Sequence, residues 1–207
     1  MPAQPAPQSP IVYIVDDNDD VRETLALLFE SVNQAVRAFA SAREFLAAYP
    51  LGQPGCLITD VRMPGMSGLE LHEEMRRRSI ELPVIFITGF GDIEMAVNAM
   101  KAGAVDFIAK PYKEQELLDR VQRAVNRSVE LKRQSDANGK ARGKLALLST
   151  REREVLDLVV AGEPSKRIAH LLQLSLKTVE FHRANIMRKL EARSVAELVK
   201  ITIGGDA

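Results

Sequence analysis

The sequence predicts an α/β domain built on a five-stranded parallel sheet, followed by an all-α domain of four short helices. Three observations predict it. Residues 11–125 alternate short apolar runs with segments of helical period, the pattern of buried parallel strands joined by helical crossovers. Polar residues fall at or just past the ends of those runs, in IVYIV-Asp16-Asp17, CLIT-Asp60, VIFI-Thr88 and FIA-Lys110-Pro111. An open parallel sheet binds ligands beyond the carboxyl ends of its strands, so these side chains are expected in one crevice. From Ser149 onward the apolar spacing is helical throughout.

Taken in order, strands are expected near 11–15, 35–39, 56–59, 84–88 and 106–109, and helices near 20–31, 42–49, 67–78, 92–102 and from 113 onward. Ser41-x-x-Glu44 and Ser67-x-x-Glu70 have the spacing of capping boxes at two of these helix starts. Gly103 follows the helix near 92–102 as its C-cap. Right-handed crossovers and a site at the strand ends give the flavodoxin-like strand order 2-1-3-4-5. Residues 126–148 first extend the fifth helix; the polar stretch from Ser135 to Gly143, with two glycines, reads as a mobile linker. Ser149-x-x-Glu152 then opens a helix that Gly162 closes. Pro164-Ser165 starts a second, ending near Leu172, and Ser175 caps a third that runs to about Leu190. Ser194-x-x-Glu197 opens the last. Two short helices joined by a tight turn and flanked by two more make a helix-turn-helix module.

Composition narrows the function classes. The 207 residues are 46% apolar and 27% charged, as in soluble globular proteins, and no apolar run approaches the roughly 18 residues of a membrane span. The Pro-rich start, MPAQPAPQSP, lacks the apolar core of a secretion signal and reads as a floppy tail. Cys56 is the single cysteine; it excludes an intramolecular disulfide, fits a reducing cytosol and sits in a strand-like run, hence in the core. The net charge of zero hides a split: residues 1–125 hold 12 Lys+Arg against 18 Asp+Glu, a net of −6, and residues 126–207 hold 16 against 10, a net of +6. An acidic half joined to a basic half directs nucleic acid to the second half.

In the crevice, the carboxylates of Asp16, Asp17 and Asp60, the Thr88 hydroxyl and the Lys110 ammonium form a set that can hold a magnesium ion and a transferable phosphoryl group. The stretches VYIVDDN, DVRMPGMSGLEL, PVIFITGFGD and AVNAMKAGAVDFIAKP, and later LSTREREVLDLVVAG and KTVEFHRANIMRKLEARSVAELV, occur in the order and spacing of a known family. With them the chain resembles two-component response regulators of the FixJ type, within the NarL/LuxR group. The resemblance covers nearly everything except the N-terminal tail and the central linker. It implies a disordered tail at 1–9, a receiver domain at 10–126, a helical extension and linker at 127–147, and a LuxR-type DNA-binding domain at 148–207. It implies no enzyme, but a cytoplasmic phosphoprotein that a sensor histidine kinase phosphorylates on Asp60. Once phosphorylated it would dimerise, bind promoter DNA and regulate transcription, as an activator and with RNA polymerase as a further partner.

The resemblance also implies roles. Asp17, Asp60 and the backbone carbonyl of Arg62 would bind Mg²⁺ directly, and Asp16 mostly through water. Lys110 would pair with the acyl phosphate or Asp60, behind a cis Lys110–Pro111 bond. Thr88 would hydrogen-bond a phosphoryl oxygen, and Phe107 would turn inward as Thr88 moves. The dimer face would be formed by Ile93, Val97, Lys101 and Asp106. Phe90 stands where the family commonly has His. Asp19 and Asp20 complement the dipole of the helix they start.

In the second domain the recognition helix is expected at residues 175–190, with Val179, Ile186 and Leu190 on its buried face and Lys177, Glu180, Arg183, Ala184 and Met187 on another. Arg183 can read guanine and Glu180 cytosine in the major groove. Lys166, Lys177, Thr178, His182, Arg188 and Lys189 complete the DNA-binding set, with the basic groups on phosphates, which position without specifying. Phe181 reads as a packing residue, and His72 and His170 as surface residues. Ser165 and Gln173 depart from the Asn and Gly usual at their positions; Ser165 can still cap, and Gln173 needs a positive φ that non-glycine residues rarely adopt. Two other functions compete. A magnesium-dependent aspartyl-phosphate phosphatase would need a second acid two residues after Asp60, where Arg62 stands, and a cap domain. A receiver acting only as an adaptor would leave the helix-turn-helix and the basic second half unused.

Overall fold

A computed structural model describes residues 9–89, 100 and 103–206. Five strands, β1 (Ile11–Val15), β2 (Ala35–Phe39), β3 (Gly55–Asp60), β4 (Val84–Thr88) and β5 (Asp106–Ala109), form one parallel sheet in the order β2-β1-β3-β4-β5. Each strand coincides with its expected apolar run to within one residue. Side chains alternate across the sheet. Val12 and Ile14 face a core that includes Leu25, Phe29, Leu117 and Val121; Tyr13 and Val15 face one that includes Phe45, Leu71 and Met75. Cys56 is fully buried, and burial pushes its thiol pKa up.

Between and after the strands run α1 (Asp19–Ser31), α2 (Ala42–Ala48), α3 (Gly68–Arg77) and α4 (Glu114–Leu145). Ser67 and Glu70 form the full capping box. Ser41 caps α2, but Glu44 answers to the Ala40 N–H rather than to Ser41. Gly103 has φ +95, as expected of a C-cap; the helix expected near 92–102 lies outside the described residues apart from Met100. On α4, Leu117, Val121, Ala124, Val125 and Ser128 form a buried stripe at helical spacing, and Ser128 Oγ accepts from the Gly55 N–H at 3.0 Å.

The chain divides into two compact units between Lys132 and Arg133. The stretch Ser135–Gly143, expected as a mobile linker, is instead helical within α4. Its Ala137, Lys140, Ala141 and Arg142 are good helix formers, each glycine costs only about 1 kcal/mol, and Lys144 just beyond it donates to Glu191 at 2.7 Å and to the Leu190 carbonyl at 3.3 Å. In the second unit α5 (Thr150–Val160), α6 (Ser165–Leu171), α7 (Leu176–Leu190) and α8 (Val195–Asp206) follow. They close over Val155, Leu156, Ile168, Val179, Ile186, Leu190 and Leu198. The four helices stand where their caps placed them, with two differences: Pro164 occupies the N-cap of α6, so Ser165 is already helical and makes no cap bond, and Ser194 caps α8 while Glu197 accepts from the Arg193 N–H rather than from that of Ser194.

Candidate metal centre and nucleic-acid interface

The crevice is assembled from four strand ends. Asp16 and Asp17 follow β1, and Asp60 is the last residue of β3. One carboxylate oxygen from each lies within 4.8 Å of the other two. Asn18 fixes the turn after β1: its side chain caps α1 by accepting from the Val21 N–H, and its own N–H donates to Asp16 Oδ1 at 2.9 Å. Arg62 N–H donates to Asp60 Oδ1 at 3.3 Å. Lys110, just past β5, places Nζ 3.6 Å from Asp16 Oδ2 and 3.7 Å from Asp60 Oδ2. The Lys110–Pro111 bond is cis, and the Lys110 N–H donates to the carbonyl of Thr88, the buried last residue of β4, at 2.7 Å.

Asp16 is 3% exposed. Burial is the main reason its pKa is raised; the Asn18 N–H and the Lys110 ammonium oppose that shift, while the Asp60 and Asp17 carboxylates add to it. Three carboxylates this close repel one another, and a cation held between them removes that repulsion. An all-oxygen donor set suits a hard cation such as Mg²⁺, so the residues present fit the ion. Phe107 is half-buried against the cluster containing Tyr13 and Phe86. Asp106 is paired with Arg120 at 2.5 Å. Ile93, Val97, Lys101 and Phe90 lie outside the described residues.

In the second unit the turn between α6 and α7 passes through Gln173 at φ +54, the left-handed geometry that its position demands. Ser175 Oγ then caps α7 by accepting from the Thr178 N–H at 3.0 Å, and it lies 2.7 Å from the Thr178 hydroxyl. Lys166, Lys177, Glu180, Ala184 and Arg188 are exposed.

Residues 12–122 match the family described as response regulator receiver domain, and residues 146–202 match the bacterial regulatory proteins of the luxR family. The chain is 46% identical over 198 residues to the transcriptional regulatory protein FixJ of Azorhizobium caulinodans, a match that spans 95% of this chain and 93% of that protein. It is also 46% identical over 194 residues to FixJ of Rhizobium meliloti, spanning 94% and 95%. Among solved structures, the low-resolution structure of the response regulator StyR matches with a TM-score of 0.87 at 42% identity, covering 94% of this chain and 98% of that one. This chain belongs to the FixJ-type response regulators. Its receiver domain accepts a phosphoryl group, which implies a histidine kinase as partner. Its LuxR-type domain implies DNA binding, and together they regulate transcription within a two-component system.

Within this response regulator, five side chains stand elsewhere than the sequence suggested. Lys189, expected on a DNA phosphate, points inward: Nζ donates to Glu152 Oε2 at 2.6 Å and to the Leu147 carbonyl at 3.1 Å. Arg183 and Met187, expected on the face of Glu180, are half-buried and line a cavity of about 110 Å³ with Val159, Ile186, Val195 and Leu198. Phe181, expected to pack, is 63% exposed, and His72, expected at the surface, is 7% exposed and meets Phe86 edge-on. Burial, with help from Arg76, lowers the His72 pKa. His170 is exposed as expected, and His182 is half-buried with a buried Nδ1.

Three residues of the receiver crevice carry no chemistry of their own and escaped the sequence reading. Asn18 is one. Arg22 is the second: it donates to the Asp16 carbonyl at 2.7 Å and pairs with Asp19. Gly68 is the third. A Cβ there would sit 2.1 Å from the Asp60 carbonyl oxygen, and its N–H donates to the Val61 carbonyl at 3.0 Å. The only sequence signal for Gly68 is a glycine right after a Ser N-cap, where a better helix former is expected.

Proposed function

We propose that Asp60 is the phosphoacceptor of this regulator and that phosphorylation turns it into a promoter-binding dimer. The single observation that carries the assignment is the Lys110 ammonium, 3.6 and 3.7 Å from carboxylate oxygens of Asp16 and Asp60 inside the triple-Asp cluster. Asp16, Asp17, Asp60 and the Arg62 carbonyl would hold Mg²⁺, which supplies charge neutralisation on the phosphoryl oxygens. An Asp60 oxygen attacks phosphorus in line with the leaving imidazole nitrogen of the kinase's phosphohistidine. The P–N bond breaks, an aspartyl phosphate forms, and the imidazole takes a proton on leaving. Lys110 stays beside the acyl phosphate and balances its charge, and the Thr88 hydroxyl donates to a phosphoryl oxygen. Phe107 follows Thr88 and resets the face that includes Ile93, Val97, Lys101 and Asp106, through which two receivers pair. Two tethered DNA modules then gain affinity through effective concentration.

On DNA, Lys166, Lys177 and Arg188 contact phosphates with Thr178 and His182 nearby, and Glu180 accepts from cytosine. Arg183, half-buried like Thr178 and His182, stays in the set to read guanine, and Lys189, paired with Glu152, leaves it. Relatives named as transcriptional regulatory proteins support the reading that this protein activates promoters with RNA polymerase. Intact-mass measurement after acetyl phosphate treatment tests the centre of the proposal. Wild type gains one phosphoryl adduct and Asp60→Asn gains none; a full adduct on Asp60→Asn overturns the assignment.

A further inference from the structure

Phe181 has no structural reason to be where it is. It lies in the middle of α7 and is 63% exposed, the most exposed phenylalanine among the described residues, while Val179, Ile186 and Leu190 carry the helix's packing. It belongs to a stripe of exposed residues at helical spacing: Lys177, Phe181, Ala184 and Arg188, with Glu180 beside it. The composition of that stripe is ordered. Cations stand at its two ends, about 16 Å apart along the axis, a span comparable with the roughly 12 Å width of a major groove. The neutral residues stand between them. Cations at the rims grip phosphates, and what lies between them faces base edges. One turn beyond Phe181 is Ala184, which has no bulk to keep a base from the ring, and His182 meets the ring edge-on with centroids 6.1 Å apart.

We propose that Phe181 determines sequence specificity by packing its ring on the 5-methyl group of a thymine in the major groove. The inference rests on the DNA-binding reading of α7 given above. The thymine methyl is the one apolar feature that the major groove offers, and it is the feature an aromatic ring can recognise there. Insertion between base steps is a device of minor-groove binders that kink the duplex, whereas the recognition helix of a helix-turn-helix module docks in the major groove.

The test removes the methyl alone. A duplex site is first selected with the full-length, acetyl phosphate-treated protein. Each thymidine in it is then replaced singly by deoxyuridine, and affinity is measured for wild type, Phe181→Ala and Phe181→Leu. At one thymine per half-site, wild type loses roughly fourfold, the loss of one buried methyl contact. Phe181→Ala shows no loss there, and Phe181→Leu keeps part of it. Circular dichroism checks that the variants fold, as an exposed side chain requires. If selected sites bind but every deoxyuridine effect is the same in Phe181→Ala as in wild type, the inference fails while the DNA-binding reading stands. If wild type selects no sequence at all, the reading of α7 fails and takes the inference with it.

Discussion

Replacing Lys189 by methionine separates two readings of a basic residue on a DNA-binding helix. If Lys189 held a phosphate, the variant would bind all DNA more weakly and the salt dependence would flatten by about one charge. The structure gives a different expectation. Glu152 is 4% exposed; its carboxylate takes the Lys189 ammonium at 2.6 Å and the Ser149 N–H at 2.8 Å. Lys189→Met leaves the capping box intact and removes one charged hydrogen bond from a buried acid, a loss of about 1.5–3 kcal/mol. The methionine stem keeps most of the packing of the lysine stem, so the charge accounts for most of the loss. A loss of about 2 kcal/mol raises local opening of α5 and α7 roughly thirtyfold. Amide hydrogen exchange of peptides from those helices in the full-length protein reads this directly, beside a salt titration of DNA affinity. Glu152→Gln removes the same pair from the other side, so the double variant costs less than the sum of the singles. Unchanged exchange in Lys189→Met together with a salt slope flattened by one charge would refute the reasoning and return Lys189 to the phosphate set.

The same pair sets a pH dependence. The Lys189 ammonium, and after it the Ser149 N–H, hold the Glu152 carboxyl below its ordinary value of 4.5. That stabilisation is therefore present above pH 4.5 and lost as pH falls through the lower folded value; acid unfolding followed by circular dichroism shows the second unit shedding stability in that window, and Lys189→Met narrows it. Gly68→Ala forces a Cβ to within 2.1 Å of the Asp60 carbonyl oxygen, an overpacking that costs at least about 1–3 kcal/mol. It also shifts the backbone of Asp60, so phosphoryl incorporation slows although no reacting group has changed. Equal labelling rates for Gly68→Ala and wild type would show that Asp60 tolerates the shift. Gln173→Gly relieves a left-handed residue whose conformation costs about 1 kcal/mol, so the thermal midpoint of the second unit rises or holds, whereas Gln173→Val lowers it.

What the sequence made legible follows from which interactions are local. Strand ends and helix caps are written in a few consecutive residues, so the apolar runs before Asp16, Asp60, Thr88 and Lys110 located the crevice, and Ser67, Ser149 and Ser175 located helix starts. The order of the sheet came from a rule about crossovers, and needed no side-chain detail. The faces of α7 were harder. Val179, Ile186 and Leu190 fix its buried side by period alone, but residues at the margin of that stripe, such as Arg183, are turned in or out by what α5 and α8 place opposite them. Lys189 illustrates the limit. From its own helix it is one more cation in a basic last turn, a natural phosphate ligand. Its partner Glu152 is 37 residues away, and in the sequence that glutamate already had a complete role as the third residue of a capping box. A carboxylate has two oxygens and several lone pairs, so the cap did not exhaust it; a buried acid with one neutral donor still requires a positive charge. A buried acid whose local cap leaves it one charge short draws the cation of whichever helix packs on it, and for Glu152 that cation is Lys189.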